Sequence, residues 1–248
     1  MKIILSPAKK MNVDVDSLPC GGEPVFLAQT EKILAWMKER SREELKKLWK
    51  CNDKIAEQNF ERLEHMDLYH RLTPAVLSYE GIAYRYMAPA VFEDGQLDYV
   101  QEHLRILSGF YGVLKAMDGV TPYRLEMQAK ASIGGCRDLY DLWGSRIYEQ
   151  VRDGSGVILN LASKEYSKCV EKYLTDEDTY ITCIFGEKAD GRFITKGTYA
   201  KMARGEMVRF MAERKMEKPE GVKEFRRLGY VFREDMSTDT EYVFERMP

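Results

Sequence analysis

Apolar residues along this chain fall into short continuous runs and longer helical spacings, and the first run opens it. Lys2–Leu5 is a brief apolar stretch stopped by Pro7, which predicts a strand feeding the loop Ser6-Pro7-Ala8-Lys9-Lys10. From 26 to about 50 the residues Leu27, Ile33, Leu34, Met37, Leu45, Leu48 and Trp49 recur at helical spacing, with Lys, Arg and Glu between them. That pattern predicts a helix or helix pair with one solvated face. Asp53 caps a further helix through Ile55, Phe60 and Leu63, and Thr73-Pro74 restarts one with proline at its first position. Residues 79–86 break the pattern with three tyrosines and an arginine, read as packed aromatic bodies with wet hydroxyls in preference to an exposed surface. Helical spacing resumes over 97–107.

Ser108-Gly109-Phe110-Tyr111-Gly112 is a glycine turn, followed by a second short predicted helix at 113–117 and an extended segment at 121–127. An amphipathic helix is expected over 137–151. The nearly continuous apolar run at 156–161 reads as a strand buried on both faces. Ser163 caps a helix to about 173. Segments 180–185 and 192–195 form an antiparallel pair around Asp190-Gly191. A long helix spans 198 to about 216, a shorter one 220–227, and strands at 229–232 and 241–244 close the chain. Helices and strands are interspersed without a regular βα repeat, so residues 1–248 are expected to form a single mixed α/β (α+β) domain, not a doubly wound sheet.

At 248 residues the chain is long enough to bury roughly 70–75% of its unfolded surface without a metal or disulfide staple. Thirty-eight basic and forty acidic side chains give a net charge of −2, which excludes a globally basic nucleic-acid coat but not a local basic face. Five scattered cysteines with no C-x-x-C argue against a secreted disulfide framework or a zinc knuckle, so a reduced, cytoplasmic location is expected. No stretch approaches the roughly 18 apolar residues of a membrane span. A phosphate-loop motif is absent, and Gly154-Ser155-Gly156 precedes a strand instead of following one, the wrong order for a dinucleotide-binding turn. His65, His70 and His103 show neither i, i+4 pairing nor a carboxylate at ligand spacing. No metal site and no cofactor are therefore expected.

What remains is a set of cations beside turns. Lys9 and Lys10 follow the first strand, Arg105 and Lys115 flank the 109–112 turn, and Arg124 follows Pro122-Tyr123. The last third adds ten basic residues against five acidic ones between Lys196 and Arg227. A salt-bridge-laced solvated face and a polyanion site are equally good readings of that segment. The run from Leu104 to Met117 reads as helix, glycine turn, helix, and so resembles a helix-hairpin-helix DNA-binding element whose backbone amides hold a phosphate. It has two residues between the glycines where that hairpin usually has one.

Ser6-Pro7-Ala8-Lys9, Asp53-Lys54-Ile55-Ala56, Leu104 to Leu114, Pro122 to Met127, Asp138 to Gly144, Asn160 to Tyr166 and Tyr199 to Gly205 together resemble, in order, the signature blocks of the bacterial YaaA family. The resemblance implies a cytoplasmic peroxide-stress resistance protein that keeps unincorporated iron low. It also implies an unusual mixed α/β fold with a positively charged cleft and a helix-hairpin-helix element that binds DNA, double-stranded or branched, largely without reading sequence. Carried onto this chain, the cleft residues are Lys9, Lys54, Arg105, Arg124, Lys201 and Arg204, with the hairpin at Ser108, Gly109 and Gly112 and Lys115 beside it. Direct iron binding would need several His, Cys or carboxylate ligands at workable spacing, and none is found, so an indirect effect on iron is expected. The alternative is an enzyme acting on a nucleotide or nucleic acid in the same cleft, with Glu126 or Glu165 as general acid or base. Glu126 follows Arg124 by two, so in an extended segment both project to one face.

Overall fold

The computed structural model describes residues 1–247. In chain order its elements are β1 (Lys2–Leu5), β2 (Lys10–Met11), α1 (Leu27–Lys38), α2 (Arg42–Trp49), α3 (Asp53–Glu64), β3 (Thr73–Pro74) and α4 (Ala75–Ser78). There follow β4 (Tyr79–Glu80), α5 (Ile82–Met87), α6 (Asp94–His103), β5 (Leu104–Ser108), β6 (Gly112–Lys115), β7 (Gly119–Val120), α7 (Leu139–Trp143) and α8 (Arg146–Val151). The last third holds β8 (Val157–Asn160), α9 (Lys164–Glu171), β9 (Thr179–Ala189), β10 (Arg192–Ile194), α10 (Gly197–Arg214), β11 (Tyr230–Phe232) and β12 (Glu241–Arg246).

One mixed sheet organises them, in the order β11-β12-β9-β8-β1-β5-β6, with β10 paired to the far end of β9. Its five inner strands, β12, β9, β8, β1 and β5, are parallel, and β11 and β6 close the two edges antiparallel. Every residue of β1 and β5 is buried, including Lys2 and Arg105, so alternation is lost because both faces are covered. This is the mixed α/β fold expected from the interspersed pattern. No helix of the described residues is long and apolar enough to cross a membrane.

The expectation that fails is the helix-hairpin-helix at 104–117. Residues 104–108 and 112–115 are strands β5 and β6, paired antiparallel from Arg105↔Lys115 to Ser108↔Gly112. A short apolar run carries no period that separates a buried strand from a buried helix, and here burial on both faces decides for strand. The turn closes because Ser108 Oγ accepts from the amides of Phe110 (3.1 Å) and Tyr111 (2.9 Å), while Gly112 takes a φ of +74° directly against the Trp143 ring. No helix N-terminus stands there to meet a phosphate.

A helix–tight turn–helix unit does occur, at α2 and α3. Ser41 and Glu44 form a reciprocal cap on α2, Lys50 ends it at a φ of +46°, and Asn52, not Asp53, caps α3 by accepting from the Ile55 amide at 3.0 Å. Two smaller expectations change. The helix over 137–151 is divided at Gly144 into α7 and α8, and residues Pro219–Glu224 form a 3-10 turn where an α-helix was expected.

Helix α10 lies on α5 with backbone contact. A Cβ on Gly205 would stand 1.8 Å from the carbonyl oxygen of Ala83. Gly205→Ala is therefore expected to force the two helices apart and destabilise the protein by about 1–3 kcal/mol, more than the roughly 1 kcal/mol that alanine gains in helix propensity. Melting should drop by several degrees, read by circular dichroism; an unchanged or raised midpoint would show that the crossing is not tight.

Candidate functional site

The chain leaves β1 to place β5 on one side of it and later returns to place β8 on the other. In open α/β sheets, the carboxyl ends of strands at such a reversal hold the ligand crevice. A cavity of about 370 Å³ sits there, between the segments that follow β1 and β8. Its walls come from the loop Ser6 to Lys10, the turn into α5 with Tyr84, the extended segment Tyr123 to Glu126, the start of α9 with Ser163 and Glu165, and Lys201 and Arg204 of α10.

Polar links fix these walls to one another. Ser6 Oγ accepts from the Ser163 amide at 2.8 Å and donates to Ser163 Oγ at 3.1 Å, joining the β1 loop to the start of α9. The Tyr84 hydroxyl donates to the Ser6 carbonyl at 3.0 Å. Tyr123, whose hydroxyl burial pushes up to about 12, shares hydrogen bonds with Tyr79 (2.9 Å) and Ser108 (2.7 Å). The tyrosines of 79–86 thus pack as expected, but Tyr79 and Tyr84 bond to protein groups instead of remaining wet.

Four of the six cations expected in the cleft converge here, with Lys10 beside them. Lys9 Nζ lies 2.8 Å from Glu126 Oε2, and Arg124 Nη2 lies 3.1 Å from Glu126 Oε1 and 3.5 Å from the carbonyl of Trp49, the last residue of α2. Exposed Lys201 and half-buried Arg204 have no carboxylate within ion-pair distance among the described residues. Burial pulls the Arg204 guanidinium below its usual pKa, and its Nε is buried without a hydrogen-bond partner, as are Arg124 Nε and Glu126 Oε1. The 3.1 Å approach of Arg124 to Glu126 is close enough for attraction but not aligned as a hydrogen bond. Glu165 completes the lining. Burial pushes its carboxyl above the usual range and nearby Glu126 adds to the effect, against the Gln128 amide that donates to Oε1 at 3.3 Å.

The remaining candidates lie elsewhere. Lys54 is exposed on the first turn of α3. Ser108, Gly109 and Gly112 are buried in the hairpin; Ser108 is spent on its own turn and on the Tyr123 hydroxyl, and Gly109 abuts the backbone of Leu125 to Met127. Arg105 and Lys115 line a separate cavity of about 520 Å³ with Lys2, Gln101, Asp118 and Asp153. Only two members of the late basic segment reach the cleft. Lys196, Arg209, Arg214 and Arg227 pair with Glu187, Glu213, Glu224 and, for Arg227, both Glu206 and Glu213, while Lys215, Lys218, Lys223 and Arg226 lie outside the cleft without ion pairs among the described residues, so the segment is salt-bridged in part and is not one polyanion site. Ser6, Ser163, Tyr84 and Tyr123 were not anticipated; the one available signal was their position beside Pro7, Pro122 and the start of a helix.

Fold and site together define a mixed α/β protein with a cation-lined cleft at the reversal point of its sheet. The family model described as peroxide stress protein YaaA matches residues 1–236, and the chain belongs to that family. Proteins described as UPF0246 proteins are similar along nearly their whole length. That of Agathobacter rectalis is 66% identical over 246 residues, covering 99% of each chain. That of Lachnoclostridium phytofermentans is 55% identical over 244 residues, covering 98% of this chain and 96% of its own.

The second cavity makes one prediction about stability. Asp118 Oδ2 accepts from the Lys115 amide at 2.8 Å, yet burial pushes its carboxyl up to about 6. The folded state therefore holds this proton more tightly than the unfolded chain, and stability falls as pH rises from about 4 through about 6. Asp118→Asn keeps an oxygen for the amide and removes the charge. It is expected to be more stable than wild type at pH 7 by on the order of 2 kcal/mol, with the gap closing near pH 4. Urea titrations at the two pH values check this, and a gap that does not close contradicts it.

Proposed function

We propose that this protein acts in cytoplasmic resistance to peroxide stress by gripping DNA, double-stranded or branched, through the cations of the cleft, and thereby limits damage from unincorporated iron indirectly. The observation that carries the reading is that Lys9, Arg124, Lys201 and Arg204, drawn from distant parts of the chain, line one cleft in which Arg204 lacks a carboxylate partner among the described residues. A fixed cation with no internal partner is matched by an anion from outside. The α2–α3 unit supports the same reading. Lys47, Lys50 and Lys54 are exposed there without ion pairs among the described residues, and the Arg124–Trp49 contact joins that unit to the cleft. Contacts of this kind hold phosphates and read little sequence.

Fluorescence anisotropy with a duplex and a four-way junction tests it. Affinity should fall steeply between about 50 and about 200 mM salt, and the Lys9→Ala/Lys201→Ala pair should bind less tightly with a log–log salt slope shallower by about two. Salt-independent affinity, or an unchanged slope in the double variant, removes the reading.

One observation favours a second reading, an enzyme acting on a nucleotide or nucleic acid. Glu165, with its raised carboxyl, shares the cleft with Glu126, which is ion-paired to Lys9 and Arg124, an arrangement suited to a general acid beside a charged partner. Glu165→Gln should then cut turnover by about 10²–10⁴-fold while leaving DNA affinity intact. A panel of nucleotides and damaged duplexes that shows no turnover by the wild-type protein excludes it.

A further inference from the structure

We propose that the interior of the cleft is a pocket for a single nucleotide unit, its phosphate held by Arg124 and Arg204 and a hydrogen-bond donor of its base or sugar taken by Glu126. This rests on the reading of the cleft as a phosphate site and adds what enters it.

Size comes first. A space of about 370 Å³ lies at the small end of ligand pockets and cannot admit a duplex, one groove of which alone is about 12 Å across. Duplex DNA can reach the rim at Lys9 and Lys201, but only a single unit can reach the depth of Arg204.

Polar satisfaction then narrows the chemistry. Buried polar atoms in a finished interior have partners, and those that do not call for an explanation. Around this cleft Arg124 Nε and Arg204 Nε are donors without acceptors, and Glu126 Oε1 is an acceptor without an aligned donor. An occupant that satisfies all three presents at least two acceptors, carries negative charge for the guanidiniums and offers one donor for the carboxylate. Leu5, Pro7, Ala83, Tyr84 and Leu125 supply the intervening wall, which suits a flat, largely apolar body. Anion, donor and flat body together describe a nucleotide, either free or unpaired within DNA.

Titration calorimetry on the full chain tests the pocket with deoxyadenosine monophosphate, with deoxyadenosine and with inorganic phosphate. The monophosphate should bind at least tenfold more tightly than either fragment. Arg204→Met should lose at least tenfold of that affinity while melting no lower than wild type, because the charge it removes has no carboxylate partner to leave behind. Should Arg204→Met melt lower, Arg204→Lys, which keeps the charge but lacks the Nε donor, carries the same expectation. The source is read with 2-aminopurine placed at a mismatch in an oligonucleotide duplex. Brightening on binding, reversed by the mononucleotide, assigns the pocket to a nucleotide of DNA; mononucleotide binding without brightening assigns it to a free nucleotide, and either supports the pocket. If neither occurs the pocket is overturned, and salt-dependent duplex binding in the same samples would leave the rim reading standing without it.

Discussion

Helix α10 can bring Lys201 and Arg204 to the cleft only because nothing but a hydrogen atom separates its backbone at Gly205 from the carbonyl of Ala83. Arg204 is the preceding residue and Lys201 lies about one turn before it, so the spacing of the two helices sets how deep the guanidinium reaches. The facing wall is set by equally local means: Tyr84 of α5 donates to the carbonyl of Ser6, in the loop that carries Lys9. One helix contact thus positions cations from both ends of the chain. Elsewhere on α10 the basic residues bind glutamates of their own neighbourhood and need no such approach.

The charges of the cleft are poorly paired for so enclosed a place. Five cations, Lys9, Lys10, Arg124, Lys201 and Arg204, line it against the three carboxylates Glu80, Glu126 and Glu165. A chain under selection for stability alone would replace a desolvated guanidinium such as Arg204 with an apolar side chain, since burial works against its charge and no carboxylate repays the cost. Retaining it costs stability, and on the function proposed above it keeps a positioned cation for an anion from outside, the trade expected of functional sites. The second cavity differs. Lys2, Arg105, Lys115 and Arg152 are matched there by Glu23, Asp118, Glu149 and Asp153, so its charges balance internally.

Much of this architecture was legible in the sequence wherever a residue type forces a local conformation. Pro7 ends β1, Asp190-Gly191 turns β9 into β10, and the helical spacing of 26–50 and 198–216 appears as α1, α2 and α10. The hairpin β5–β6 is not legible in this way, because the short runs on either side of its glycine turn carry no clear period, and what decides them is the covering of both sheet faces by segments distant in sequence. Of the candidate residues, Lys9, Arg124, Glu126, Glu165, Lys201 and Arg204 lie together, whereas Arg105 and Lys115 do not. Being beside a turn was a sound reason to expect a positioned cation, but it does not say at which end of the sheet that turn falls.

That distinction follows from strand direction. In a parallel core every segment leaving a strand emerges at the same edge, so residues following β1 and β8 are neighbours however far apart in sequence, and the reversal between those strands opens a gap for them to line. Ser6 and Ser163 meet across that gap, Lys9 and Glu165 line it, and both pairs follow their strands by only a few residues. Lys115 instead ends an antiparallel edge strand whose course is reversed, and at the partner position its chain meets Arg105, near the start of β5. Strand polarity thus separates Lys9, which follows a parallel strand into the cleft, from Arg105 and Lys115, which pair across the antiparallel hairpin and face a different cavity, while Arg124, Lys201 and Arg204 reach the cleft from an extended segment and from α10. A phosphate bound at one would have no contact with the other.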